Sequence, residues 1–213
     1  MRNSFFLAAG LLVASAAAAD VEIRTIRKHF EVDAEHEILL DVPIGTVIIE
    51  AGEPGRVDIE IVVSCSGRSA RCRQRAEEVY LDESLRRRSL ALDVRGLSNK
   101  LTSRPSVDIV LTLPADNDLE VDLGVGELQT QDLRGDLELD IGVGEVDIFA
   151  AEEAIGTIRL SVGVGSADIY PRRRNQADSG FLFLGNEVYW NDGPGEAYVV
   201  IDVGVGEINV TLE

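Results

Sequence analysis

The chain has 213 residues, 45% hydrophobic but only 5% aromatic, and a formal charge of −18 from 20 basic and 38 acidic side chains. That length suits one ordinary domain or one elongated stack of repeats, with a core built from Val, Ile and Leu. So negative a field repels a phosphate backbone, which excludes a nucleic-acid binder and leaves metal cations or basic surfaces as suitable partners.

Residues 1–19 read as a cleavable signal peptide: Arg2 is the positive start, Phe5 to Val13 the apolar stretch, and Ala17, Ala18 and Ala19 the small-residue site before Asp20. The stretch is shorter than the roughly 20 residues a span needs, and no later segment supplies one. No Cys stands at the cleavage site, so no lipid anchor is expected there. The expected location is the periplasm or the exterior. In that oxidising setting the two cysteines, Cys65 and Cys72, are expected to form a disulfide. A two-ligand metal site is the alternative, but the spacing is poor for zinc and no His is near. Closing so short a loop contributes about 2.5 kcal/mol in the chain-entropy picture.

Residues 20–114 read as a less regular β-rich portion. Strands are predicted at Phe30–Val32, Ile38–Val42, Val47–Glu50, Val57–Val63, Leu90–Val94 and Val107–Leu113. Cys72, Ala76, Val79 and Tyr80 recur at helical spacing and predict one short helix after the disulfide. Pro114-Ala-Asp-Asn-Asp118 marks a turn into the regular repeats.

Residues 115–213 carry a motif four times: Asp122-Leu-Gly-Val-Gly-Glu127, Asp140-Ile-Gly-Val-Gly-Glu145, Ser161-Val-Gly-Val-Gly-Ser166 and Asp202-Val-Gly-Val-Gly-Glu207. A looser copy, Asp41-Val-Pro-Ile-Gly-Thr46, stands near the start. Around each copy the apolar alternation changes parity. In the second, Leu137, Leu139, Ile141 and Val143 share one parity, then Val146 and Ile148 take the other. Val125, Val164 and Val205 fall in the same first series of their own copies. A strand has period two, so the slip requires a corner or bulge. Gly124, Gly126, Gly142, Gly144, Gly163, Gly165, Gly204 and Gly206 are the structural turn residues, with positive φ expected at the second glycine of each copy.

Motif starts at 122, 140, 161 and 202 are 18, 21 and 41 residues apart. The long interval predicts a degenerate turn at Phe181–Trp190, and the interval from 41 to 122 predicts about four turns of similar length. The expectation is an all-β chain forming a β-solenoid, a parallel β-helix-like stack of about 20-residue repeats continuous with the N-terminal portion. The competing arrangement makes each motif the tip of an antiparallel hairpin.

The chemistry on offer is sparse. Stacked turns would set the motif acids in ladders about 4.8 Å apart, and calcium could relieve their repulsion. One motif per turn falls short of the calcium-binding nonapeptide pattern, so solvated acids are expected, with no metal and no cofactor. Arginines cluster at Arg68, Arg71, Arg73 and Arg75, at Arg86 to Arg88, and at Arg172, Arg173 and Arg174; the last group is a candidate anion site, with edge protection by charge as the alternative. His29 and His36 have no nucleophile in register, and neither a nucleophile elbow nor a zinc-protease motif occurs.

Strands such as Leu137-Glu-Leu-Asp-Ile-Gly-Val-Gly-Glu-Val-Asp-Ile148, entered from Val107-Asp-Ile-Val-Leu-Thr-Leu-Pro114, resemble the bacterial "putative adhesin" domain of unknown function. The resemblance covers most of the chain after the signal peptide and is strongest from 106 to 210. It implies a solenoid-like β fold, an extracytoplasmic setting and no catalytic residues to transfer. The function expected is that of a non-catalytic exported envelope protein, an adhesin-like or structural module whose partner is an envelope glycan, a lipid head group or a protein. An envelope-stress or regulatory binding component is the alternative, and a glycan-active enzyme, by fold analogy alone, the third.

Overall fold

The computed structural model describes residues 20–67, 69–97, 104–172 and 185–213; the signal peptide expected at 1–19 lies outside them. In chain order the elements are β1 (Asp20–Glu31), β2 (Glu37–Gly52), β3 (Arg56–Ser66), α1 (Ala70–Glu78), β4 (Tyr80–Leu85), β5 (Ser89–Arg95), β6 (Ser106–Pro114), β7 (Leu119–Gln131), β8 (Leu137–Ala150), β9 (Ile155–Tyr170), β10 (Asn186–Trp190) and β11 (Ala197–Leu212). The fold is all-β apart from that one short helix among the described residues. Ser69 caps the helix, its hydroxyl accepting from the Cys72 amide. The Cys65–Cys72 disulfide ties the helix to the end of β3, with Cα atoms 6.1 Å apart. Tyr80 opens β4 rather than closing the helix.

The strands form one mixed sheet in the order β1-β3-β6-β2-β7-β8-β11-β9-β10, with β5 beside β2 and β4 beside β5. β2, β7, β8, β11 and β9 run parallel and in register at the motif, so that Gly45, Gly126, Gly144, Gly206 and Gly165 face one another in that order. The motifs sit in the middle of long parallel strands, which rules out the hairpin-tip arrangement. Each long strand has two arms. On β2, Glu37–Asp41 pairs with β5 and Thr46–Gly52 with β6, so the sheet divides at the motif. Leu119 and Leu123 on the first arm of β7 and Leu128 on the second belong to a single core.

Stacking order and chain order part company. β11 lies between β8 and β9, so the last motif copy fills the place beside the second. The degenerate turn expected at Phe181–Trp190 is not a further coil. Residues 181–184 lie outside the described residues, and β10 runs antiparallel on β9 as a five-residue return strand. Nor do four coils separate the loose copy from the first regular one. β2 pairs directly with β7, Asp41 facing Asp122, while β5 and β6 pair with β2 on its other side.

The corner itself differs from expectation in two ways. Val125, Val143, Val164 and Val205 do not point inward; they are 44 to 47% exposed. The parity slip falls inside Gly-Val-Gly rather than after it, which leaves the valine outside. Positive φ is found at Gly126, Gly165 and Gly206 (156°, 143° and 155°), but Gly144 is not among the positive-φ glycines. What makes glycine necessary at Gly144 is close approach, since a Cβ there would overlap the Gly126 carbonyl oxygen of the neighbouring strand. The return turns are also held strand to strand. The Asp118 carboxylate accepts from the Asp136 amide at 3.0 Å, and the Asp136 carboxylate from the Tyr198 amide at 2.8 Å.

Candidate functional site

Parallel pairing without a register shift through the motif converts each motif position into a row across the sheet. The exposed valines line up as Val125, Val143, Val205 and Val164, with half-buried Ile44 at the β2 end. On one side runs an aspartate row, Asp41, Asp122, Asp140 and Asp202, ending at Ser161. Pairing extends it through Asp93 and Asp82 at one end and Glu187 at the other. On the other side Glu127, Glu145 and Glu207 form a second acidic row between Thr46 and Ser166. The molecule thus presents an apolar line with an acidic border on each side.

Neighbouring strands are about 4.8 Å apart, and two carboxylates at that separation repel by about 1 kcal/mol even in water. Arg95 relieves one end, 3.1 Å from Asp41 and 3.5 Å from Asp93. Arg159, 3.4 Å from Glu187 and 5.7 Å from the centre of the Tyr189 ring, stands at the other. Between them, no ion pair among the described residues reaches Asp122, Asp140, Asp202, Glu127, Glu145 or Glu207. The crowding of like charge registers one row further out. Glu120 has its carboxyl pushed above the ordinary glutamate range, first by burial and then by Glu138, Glu37 and Asp122. The carboxylates stand side by side rather than converging. Among the described residues, no three His, Cys, Asp or Glu side chains are grouped to hold a metal ion.

The other residues singled out from the sequence scatter. His36 is buried and structural: its Nδ1 accepts from the Asp33 amide at 3.0 Å, and the Asn117 side-chain amide donates to the carbonyls of Asp33 and His36. His29 lies on β1 opposite Asp58. Arg172 pairs with Glu153 at 3.4 Å, and its amide donates to the Glu152 carboxylate at 2.9 Å. Arg68, Arg173 and Arg174 lie outside the described residues. Sequence reasoning found the acid ladders but missed the apolar line between them. Its signal was present as the same Gly-Val-Gly triplet in all four regular copies.

No protein-family model matches this sequence, and no curated protein does. Among solved structures, the chain is similar to a "putative cell adhesion protein" from Clostridium sporogenes, with 17% identity, a TM-score of 0.52, and coverage of 89% of this chain and 100% of that one. A "putative adhesin" from Parabacteroides merdae aligns at 14% identity over 88% of this chain and 77% of that one, with a TM-score of 0.33. Another "putative adhesin", from Bacteroides fragilis, aligns at 12% identity over 88% and 97%, with a TM-score of 0.25. The first of these shows a shared fold; the other two are too distant to support an argument. The resemblance to the adhesin domain seen in the sequence is thus met at the level of the fold. No helix among the described residues is long and apolar enough to cross a membrane.

Proposed function

We propose that this chain is an exported envelope protein that binds without turnover, an adhesin-like module whose working surface is the corner of its parallel stack. The observation that carries this reading is the line of exposed valines on β7, β8, β11 and β9, continued by Ile44 on β2 in the same register and bordered on both sides by acids on β7, β8 and β11. Such a surface offers repeated contacts and no convergence of nucleophile, base and oxyanion donors. The shared fold of a protein named for cell adhesion is in keeping with it. On this reading residues 1–19 are removed on export and Asp20, the first residue of β1, begins the mature chain. The Cys65–Cys72 disulfide suits an oxidising compartment. The in-register corners support treating the body as a solenoid-like stack, with the portions 20–114 and 115–213 joined through β2 and β7.

Labelled protein purified from exporting cells should attach saturably to isolated bacterial envelopes and release no products from a panel of envelope polysaccharides. Steady release of oligosaccharides would make it an enzyme. Absence of saturable attachment would remove the binding role.

A further inference from the structure

We propose that the valine line and its acidic borders dock a basic amphipathic helix laid across the strands. This rests on the binding reading above and names the partner class for the same surface. Three features point to it.

The first is what the copies retain. Threonine has the shape and β-branching of valine and would suit an exposed strand corner equally well. All four regular copies nevertheless carry valine, and the loose copy has Ile44, although the bordering positions vary from Asp122 to Ser161 and from Glu127 to Ser166. Apolarity, rather than shape, is common to this exposed position.

Charge supplies the second feature. A second copy of this chain would bring acid against acid, and an anionic membrane surface would be repelled in the same way. Cations relieve both borders: Arg95 and Arg159 stand near the two ends of the aspartate row, Arg159 also feeling Asp202, and no ion pair among the described residues reaches Glu127, Glu145 or Glu207.

Spacing supplies the third. From Ile44 to Val164 the line takes four steps of about 4.8 Å, close to 19 Å in all. A helix offers one apolar residue per turn of about 5.4 Å, accumulating about 2.4 Å of mismatch over four steps. An extended chain, repeating every two residues at about 6.7 Å, drifts by more than about 7 Å over the same distance. Helical periodicity fits the line, and Lys or Arg on either flank of such a helix reaches the two borders.

The test uses a fluorescent peptide of about 18 residues with one Leu per turn flanked by Lys, and a scrambled peptide of identical composition. Binding to the purified protein is read by anisotropy. The ordered peptide should bind at least about tenfold more tightly than the scrambled one and weaken as salt rises. Val125→Thr/Val143→Thr/Val205→Thr should lose about tenfold or more for the ordered peptide with an unchanged melting temperature. Glu127→Gln/Glu145→Gln/Glu207→Gln should also weaken binding, with a flatter salt dependence. Equal binding of the two peptides, or parental binding by the valine variant, would overturn the proposal. If the peptide fails while envelope attachment persists, the partner class falls and the binding role stands; if neither attaches, both fall.

Discussion

Two regions of this molecule hold their strands together by different means. From residue 20 to 104 the chain has 14 basic and 16 acidic side chains; from 115 to 170 it has 2 and 14. The first region is cross-tied. Arg27 on β1 meets Glu60 on β3 at 2.7 Å, Lys28 on β1 meets Glu83 on β4 at 2.9 Å, Arg95 on β5 meets Asp41 on β2 at 3.1 Å, and a disulfide holds the helix. The second has few such ties and relies on repeated corners in which glycine lies against the carbonyl of the next strand. Identity of register does there what specific pairs do in the flank. The consequence is that the repeat body can leave its motif acids Asp122, Asp140, Glu127 and Glu145 without an ion pair among the described residues, while the flank pairs several of its own.

The glycines carry the largest expected difference. Gly144→Ala forces a Cβ onto a backbone oxygen that belongs to a shared ladder, and it should destabilise by about 3 kcal/mol or more. Gly67, with φ +75° and open space around its missing Cβ, should lose only about 1 to 2 kcal/mol on the same change. Urea unfolding of the two variants measures the difference, and equal losses would mean that the corners are not close-packed. Replacing both Cys65 and Cys72 by Ser should cost about 2.5 kcal/mol through loss of the closed loop. Amide exchange should then accelerate in β1, β3 and α1 before it does in β7 and β8.

A smaller effect separates the regions by pH. In the flank, hydrogen bonding from Arg56 and Arg27 holds the carboxyls of Asp58 and Glu60 below their ordinary ranges. Their contribution is present above the ordinary carboxyl pKa and is lost as pH falls through the lowered values. Glu120 behaves in the opposite sense. With its pKa raised in the folded chain, the native state holds more protons between the ordinary and raised values, so stability grows as pH falls through that window. Glu120→Gln should therefore raise the melting temperature at pH 7 and remove that gain on acidification. A lower melting temperature at pH 7 would show that neither the loss of solvent nor the neighbouring acids disfavour the charged Glu120 carboxylate.

Much of this was legible in the chain because it is local. The Gly-Val-Gly triplets, the parity slip and the Cys65–Cys72 spacing each depend on residues within one strand or loop. Most of β1 escaped detection because a bulge between Glu22 and Arg24 breaks its alternation and most of its residues are exposed at the sheet edge. β4 was masked by the helical spacing that carries Cys72 and Ala76 on to Tyr80, and it buries only Leu81. The place of β11 between β8 and β9 was not legible at all. Asp140-Ile-Gly-Val-Gly-Glu145 and Asp202-Val-Gly-Val-Gly-Glu207 are interchangeable neighbours in their local chemistry, so nothing local states which copies touch. The outward valines were misplaced for a related reason: a parity slip of one residue has several positions available within a flexible triplet.

Cross-linking at the corner probes the stacking itself, because the exposed valines can become cysteines without disturbing the core. Val143 and Val205 face each other on adjacent strands, whereas Val143 and Val164 are two strands apart. A disulfide needs Cα atoms within about 7 Å, and strand spacing places the first pair near ~5 Å and the second near ~10 Å. Val143→Cys/Val205→Cys should therefore form an intramolecular bridge under oxidation, seen as a mass two hydrogens lighter than the reduced form. Val143→Cys/Val164→Cys should keep both new thiols free. Bridging of the second pair and not the first would mean that the copies stack in chain order, and that the valine line does not exist in the order given by the sheet.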